Sequence, residues 1–137
     1  MLMDTSALFK RYNLENGRDQ VLAAGQRASE LVIAGHCRAE IASALNRQRH
    51  DGVLNADDYE RIMAVVTDDF KDLTVFGLDG RVESFAISAM EVSRLRTMDA
   101  LHIGTAKAAH VDLFVTADRR QAAAAQAVGL KTELIEA

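Results

Sequence analysis

Short apolar runs of three to five residues recur along this chain, each set off from the next by one or more longer helical stretches, and that alternation restricts the fold more than any other feature. The runs are Met1 to Met3, Glu30 to Ala34, Thr74 to Phe76, Leu113 to Thr116 and Thr132 to Ile135. Strands this short with helices between them pair in parallel through right-handed crossovers. The expected architecture is therefore α/β: a three-layer α/β/α sandwich around a central, mostly parallel sheet of about five short strands.

The intervening segments carry helix punctuation. Asp4-Thr-Ser is good N-cap chemistry for a helix to about Tyr12, and Asn55, followed by acids that suit the helix dipole, opens another to about Asp72. Further helices are expected over Arg18 to Ala28, His36 to His50, Gly80 to Val92, and from a Thr97 cap to about His110. The last, Arg119 to Val128, is rich in alanine and closed by Gly129. Val82, Phe85, Ala86 and Ala89 share one face of the Gly80 helix, and Phe85, Met90 and Met98 read as core. No repeat, linker or low-complexity tract divides the sequence, so residues 1–137 are expected to form one domain.

Composition narrows the classes. With 49% hydrophobic and 26% charged residues the chain is of ordinary globular type, and one Cys fits a reducing, cytoplasmic compartment. No apolar run has the length of a membrane span, and the N-terminus lacks the pattern of a secretory signal. The net charge of −4 argues against bulk attraction to nucleic acid, yet many basic residues lie near four acids in sequence: Lys10, Arg11, Arg38, Arg47, Arg49, Arg94, Arg96, Arg119 and Arg120. They read either as a solvated mixed surface or as phosphate contacts around an acidic centre, for which Arg96, Arg119 and Arg38 are the candidates.

Those acids are Asp4 in MDTSAL, Glu40 in RAEIASAL, Asp99 in MDALHIGTA and Asp118 in VTADRRQAAAA. Each falls at a strand-to-helix junction or in a helix's first turn. In an open α/β sheet the ligand crevice lies beyond the carboxyl ends of the strands, so such residues can converge. Asp4 and Asp118 are also natural N-caps. Asp99, in contrast, aligns with Ile103, Ala106 and His110 on an inward-looking stripe, and Glu40 sits on the shoulder of the Cys37, Ile41, Ala44, Leu45 stripe. Clustered carboxylates repel, and protons, arginines or a metal must offset them; hard oxygen donors match Mg²⁺ or Mn²⁺. One Cys and no HExxH exclude a zinc pattern from His36, Cys37, His50, His102 and His110. His102 reads as a packed or surface residue, and Cys37 as a small buried hydrophobe.

The four segments, in this order and spacing over nearly the whole chain, resemble the PIN-domain ribonucleases, and within them the VapC-like toxins of bacterial toxin–antitoxin pairs. The resemblance implies a metal-dependent endoribonuclease that cleaves RNA, uses Mg²⁺ or Mn²⁺, is restrained by a cognate antitoxin and forms a homodimer. It assigns Asp4, Glu40, Asp99 and Asp118 as catalytic metal-binding acids, with Thr5, Ser6 and Thr116 as accessory polar positions. The alternative within this fold is a module that binds RNA or a protein without cutting. A haloacid dehalogenase-type phosphatase would place a second Asp where Ser6 stands, and no Gly-x-Gly-x-x-Gly follows a strand to bind a dinucleotide.

Overall fold

The computed structural model describes residues 1–13 and 16–136. In chain order these form β1 (Leu2–Met3), α1 (Thr5–Leu8), a 3₁₀ turn (Phe9–Arg11), α2 (Arg18–Arg27), β2 (Val32–Ala34), α3 (Cys37–His50) and α4 (Ala56–Phe70). Then follow β3 (Thr74–Phe76), α5 (Gly80–Val92), α6 (Thr97–Ala108), β4 (Phe114–Thr116), α7 (Arg119–Ala127) and β5 (Thr132–Leu134). The five strands make one wholly parallel sheet in the order β3-β2-β1-β4-β5.

That order sets both the core and the site. The chain runs outward from β1 through β2 to β3, then crosses back to lay β4 on the other side of β1. The reversal leaves a crevice beyond the carboxyl ends of β1 and β4, where doubly wound sheets bind their ligands. Successive strand residues face opposite layers. Met3, Ile33 and Val115 thus join one core with Ala7, Leu8, Val21, Ile41 and Val66 from α1 to α4. Leu2, Val32 and Phe114 join the other with Ala89, Ile103, Ala106 and Ala125 from α5 to α7. A sheet covered on both faces explains why its inner strands read as continuous apolar runs.

Helices α5 and α6 come into close backbone contact at Gly104. A Cβ there would collide with the Val82 carbonyl of α5 and stand 2.9 Å from the Ala86 nitrogen. The 3₁₀ turn is tied to α4 by polar contacts: Arg11 donates to Asp69 from Nε at 2.7 Å and Nη2 at 3.3 Å, and the Tyr12 hydroxyl donates at 2.8 Å.

Several local expectations are corrected. Arg96, not Thr97, occupies the N-cap of α6, and no side chain caps that helix. The helix ends at Ala108 rather than His110, which turns out into solvent with φ of 54°. Met98 is exposed instead of core, on the outer side of a turn whose Ala100 is buried; Phe85 and Met90 are half-buried. The helix opened by Asn55, whose side chain does accept from the Asp58 amide, stops at Phe70.

Candidate active site

Asp4 leaves β1 at the crevice and is almost completely buried, at 3% exposure. Its Oδ1 accepts from the Ser6 hydroxyl at 2.7 Å and the Ala7 amide at 3.0 Å, and its Oδ2 accepts from the Thr116 hydroxyl at 2.5 Å. Ser6 in turn accepts from the Ala117 amide, and Thr116 from the Asp118 amide. Both hydroxyl protons are therefore committed to Asp4, which fixes the rotor of each. One Oδ2 lone pair is left open. Burial pushes the Asp4 carboxyl upward despite the His102 charge and the three donors, so its anion lacks a full counter-charge.

Asp118, beyond the end of β4, caps α7 by accepting from the Arg120 amide at 2.8 Å and the Gln121 amide at 3.3 Å. Asp99 lies in the first turn of α6, where the buried Gln121 side chain donates to its backbone carbonyl at 2.8 Å. The Asp99 carboxylate itself accepts no hydrogen bond among the described residues. Burial raises its proton affinity, and so do the negative charges of Asp4, Asp118 and Glu40, against an opposing pull from His102. Four elements far apart in sequence thus share one electrostatic field, with Asp99 as its least compensated member.

Glu40, on the first turn of α3, is compensated differently. Its Oε1 accepts from the Thr5 hydroxyl at 2.6 Å and from His102 Nε2 at 2.7 Å, with His36 Nε2 at 3.4 Å. Oε2 stays unengaged among the described residues. Burial alone would raise this carboxyl, but the His102 and Thr5 hydrogen bonds and the two imidazoles outweigh it and hold it below the usual range. An ionised Glu40 only accepts, so His102 carries its proton on Nε2. Burial and the neighbouring His102 ring lower His36, which donates to the Met98 carbonyl at 3.0 Å. The Nδ1 atoms of both imidazoles are buried without a partner, so neither ring has a second group to fix it as a metal ligand.

From the sequence, His102 is weighed as a neighbour of the metal or RNA but reads as packed or surface, and His36 is weighed only as a zinc ligand. The available signal was spacing: His102 lies one turn beyond Asp99 and His36 one turn before Glu40, each on its acid's face. Among the described residues, His36, Glu40 and His102 form the one set of three metal-capable groups whose ligand atoms all approach within 4.8 Å. Cys37, fully buried, has its thiol pushed up to about 12 by burial and takes no part in acid–base chemistry here. Of the basic candidates, Arg119 pairs with Glu136 at 3.2 Å, Arg38 lines a separate groove beside α4, and Arg96 stands free next to α6.

Comparison with known proteins agrees with this layout. The family model described as PIN domain matches residues 1–127. Similar solved structures include FitAcB from Neisseria gonorrhoeae, at 14% identity and TM-score 0.71 over 96% of this chain and 94% of that one. VapBC2 from Rickettsia felis, bound to a promoter DNA fragment, aligns at 12% identity and TM-score 0.70 over 97% and 96%. The sarcin-ricin loop cleaving toxin VapC20 of Mycobacterium tuberculosis aligns at 15% identity and TM-score 0.67 over 90% and 93%. At such identities the likeness is one of fold. Comparison with curated protein sequences gives no match.

Proposed function

This chain belongs to the PIN domain family, and on that premise we propose that it is a divalent-metal-dependent endoribonuclease acting as the toxin of a toxin–antitoxin pair. The observation that carries the reading is the shared field of Asp4, Glu40, Asp99 and Asp118 at the sheet's switch point. A binding module has no need to gather like charges.

The donor set suits Mg²⁺ or Mn²⁺. It consists of carboxylate oxygens; Asp99 has no competing hydrogen bond, Asp4 keeps one lone pair open, and Glu40 keeps Oε2. Asp4 and Asp99 are the expected direct ligands, with Glu40 and Asp118 acting directly or through water. When bound, the ion supplies Lewis-acid activation of water and stabilisation of the leaving oxygen in phosphodiester hydrolysis. The chain's own residues contribute position and charge. Ser6, Thr116 and the Ala7 amide fix the plane of Asp4, and Thr5 and His102 fix Glu40 through Oε1.

No helix among the described residues is long and apolar enough to cross a membrane, in keeping with the cytoplasmic setting in which RNA would be met. A cognate antitoxin and a second copy of the chain are the protein partners this reading includes; the antitoxin finds support in the toxin–antitoxin complexes among the structural neighbours. The test is cleavage of total RNA by purified protein with Mg²⁺, its loss in chelator and its return when Mg²⁺ is restored. Asp4→Asn should be inactive. RNA binding without cleavage at any divalent ion concentration would refute the enzyme reading in favour of the non-catalytic module.

A further inference from the structure

Most arginines of the chain are engaged: Arg11 with Asp69, Arg27 with Glu133, Arg61 with Asp58, Arg119 with Glu136, Arg49 with Asn46, and Arg18 and Arg81 with backbone carbonyls. Among the described residues, the side chains of Arg38, Arg47, Arg94, Arg96 and Arg120 make no hydrogen bond or ion pair. Three of these line one groove of about 740 Å³, together with Ser93, Leu95, Ala123 and Ala124. Its walls are the α5–α6 connection and the first turns of α7. It adjoins the acidic centre, because Arg96 precedes Asp99 by one turn of α6 and Arg120 follows Asp118 by two residues on α7.

We infer that this groove binds the phosphodiester backbone of an RNA strand leading to the acids, and that it does so without reading bases. The inference rests on the nuclease reading and deepens it by naming where the substrate lies. Unpaired, exposed guanidinium groups retain all their donors for bidentate contact with phosphate oxygens, and no internal carboxylate must be displaced first. The remaining lining is small. Leu95, Ala123 and Ala124 offer no aromatic face for base stacking, and Ser93 is the one neutral polar side chain, so apart from the arginines themselves nothing in this groove discriminates between bases. Placement also answers an electrostatic problem. A polyanion approaching a group of carboxylates is repelled unless positive charge flanks the path, and Arg96 and Arg120 stand at the starts of α6 and α7, the helices that carry Asp99 and Asp118.

The Arg38 groove differs in kind. It is lined by Ala39, Ala42, Met63, Phe70 and Val75 and belongs to the α3–α4 side of the molecule. Arg47 and Arg49, in the last turn of α3 and lining neither groove, serve as a control of equal charge.

The experiment measures fluorescence anisotropy of labelled short oligouridylate and oligoadenylate over a salt series, with Ca²⁺ in place of Mg²⁺ and RNA integrity checked on a gel. Arg96→Ala/Arg120→Ala is expected to lower the log–log salt slope by about 1.4, since each lost contact to a single strand removes about 0.7. Affinity for both oligonucleotides should fall at least about tenfold at low salt. Arg47→Ala/Arg49→Ala should leave the slope unchanged, and circular dichroism should be the same for all three proteins. Equal losses in the two double variants would overturn the groove assignment, leaving only an effect of net charge. Loss for one oligonucleotide alone would overturn the backbone-only reading. Displacement of RNA from wild-type protein by an acidic peptide at equal affinity would make the groove a protein-docking surface and likewise overturn it. In each of these cases Mg²⁺-dependent cleavage by wild type would still stand, whereas wild-type protein that neither binds nor cuts RNA would remove the nuclease reading itself.

Discussion

Asp99→Asn should raise the melting temperature of the metal-free protein and lower it relative to wild type once Mg²⁺ is added. The carboxylate at this position accepts no hydrogen bond among the described residues, so the amide loses nothing and removes one charge from the field of Asp4, Asp118 and Glu40. The four acids do not close as a set to within 4.8 Å, the separation at which two carboxylates repel by about 3.5 kcal/mol at an effective dielectric near 20. Larger separations, partial solvent screening and the attraction of His102 bring the net gain to about 1–2 kcal/mol, or roughly 3–8 °C. In the folded protein the Asp99 carboxyl is raised above its ordinary 3.8. Wild type is therefore penalised progressively as pH climbs through the window between that unfolded value and the raised folded one, and the two proteins should melt alike below it. With Mg²⁺ at about 100 times its dissociation constant, wild type gains about 2.7 kcal/mol by linkage and the variant much less, so the order inverts. Differential scanning fluorimetry in EDTA and in Mg²⁺, across pH, reads all of this. An Asp99→Asn protein that melts below wild type in EDTA at neutral pH would refute the shared field.

His102→Gln and His102→Asn separate positioning from packing: the Gln amide nitrogen reaches the place of Nε2 and should preserve the bond to Glu40, whereas Asn should not. Cleavage by the Asn variant should then need more Mg²⁺, with the Gln variant near wild type; a Mg²⁺ titration of the rate decides it. Gly104→Ala should cost about 1–3 kcal/mol in urea unfolding, because its Cβ meets backbone rather than a movable side chain. Asp69→Asn should cost about 1 kcal/mol at pH 7, since the pair is partly exposed. Burial raises the Asp69 carboxyl, but Arg11 and Tyr12 outweigh it and hold it low, so the contribution is complete above the unfolded value near 3.8 and fades as pH falls through the depressed folded one. Urea midpoints at several pH values check the sign.

The sheet was legible because its strands are short, apolar and spaced by helices, and the family model and fold relatives agree with the expected sandwich. The edges of elements were less so. Thr97 looks like a cap by residue type, but the chain enters α6 one residue earlier, and nothing local reports that. Asp4 and Asp118 read as either caps or site residues, and both side chains do cap; a capping carboxylate keeps lone pairs free, so one role does not exclude the other. The Thr5–Glu40–His102 contacts join residues 35 and 62 positions apart, which no local pattern encodes. The pairing of arginines was equally hidden. Only tertiary contacts distinguish Arg119, engaged with Glu136, from its neighbour Arg120.

β1 is the middle strand of the sheet, yet one of its hydrogen-bonded neighbours is β4, more than a hundred residues later. Asp4 receives its Thr116 hydrogen bond only after that neighbour has been made. On a ribosome adding about 5–20 residues per second, the crevice stays half-built for several seconds or more after Asp4 is synthesised. Until β4 is in place, Asp4 lacks one of the three donors that hold its carboxylate, so a chain proposed to attack RNA has no complete site.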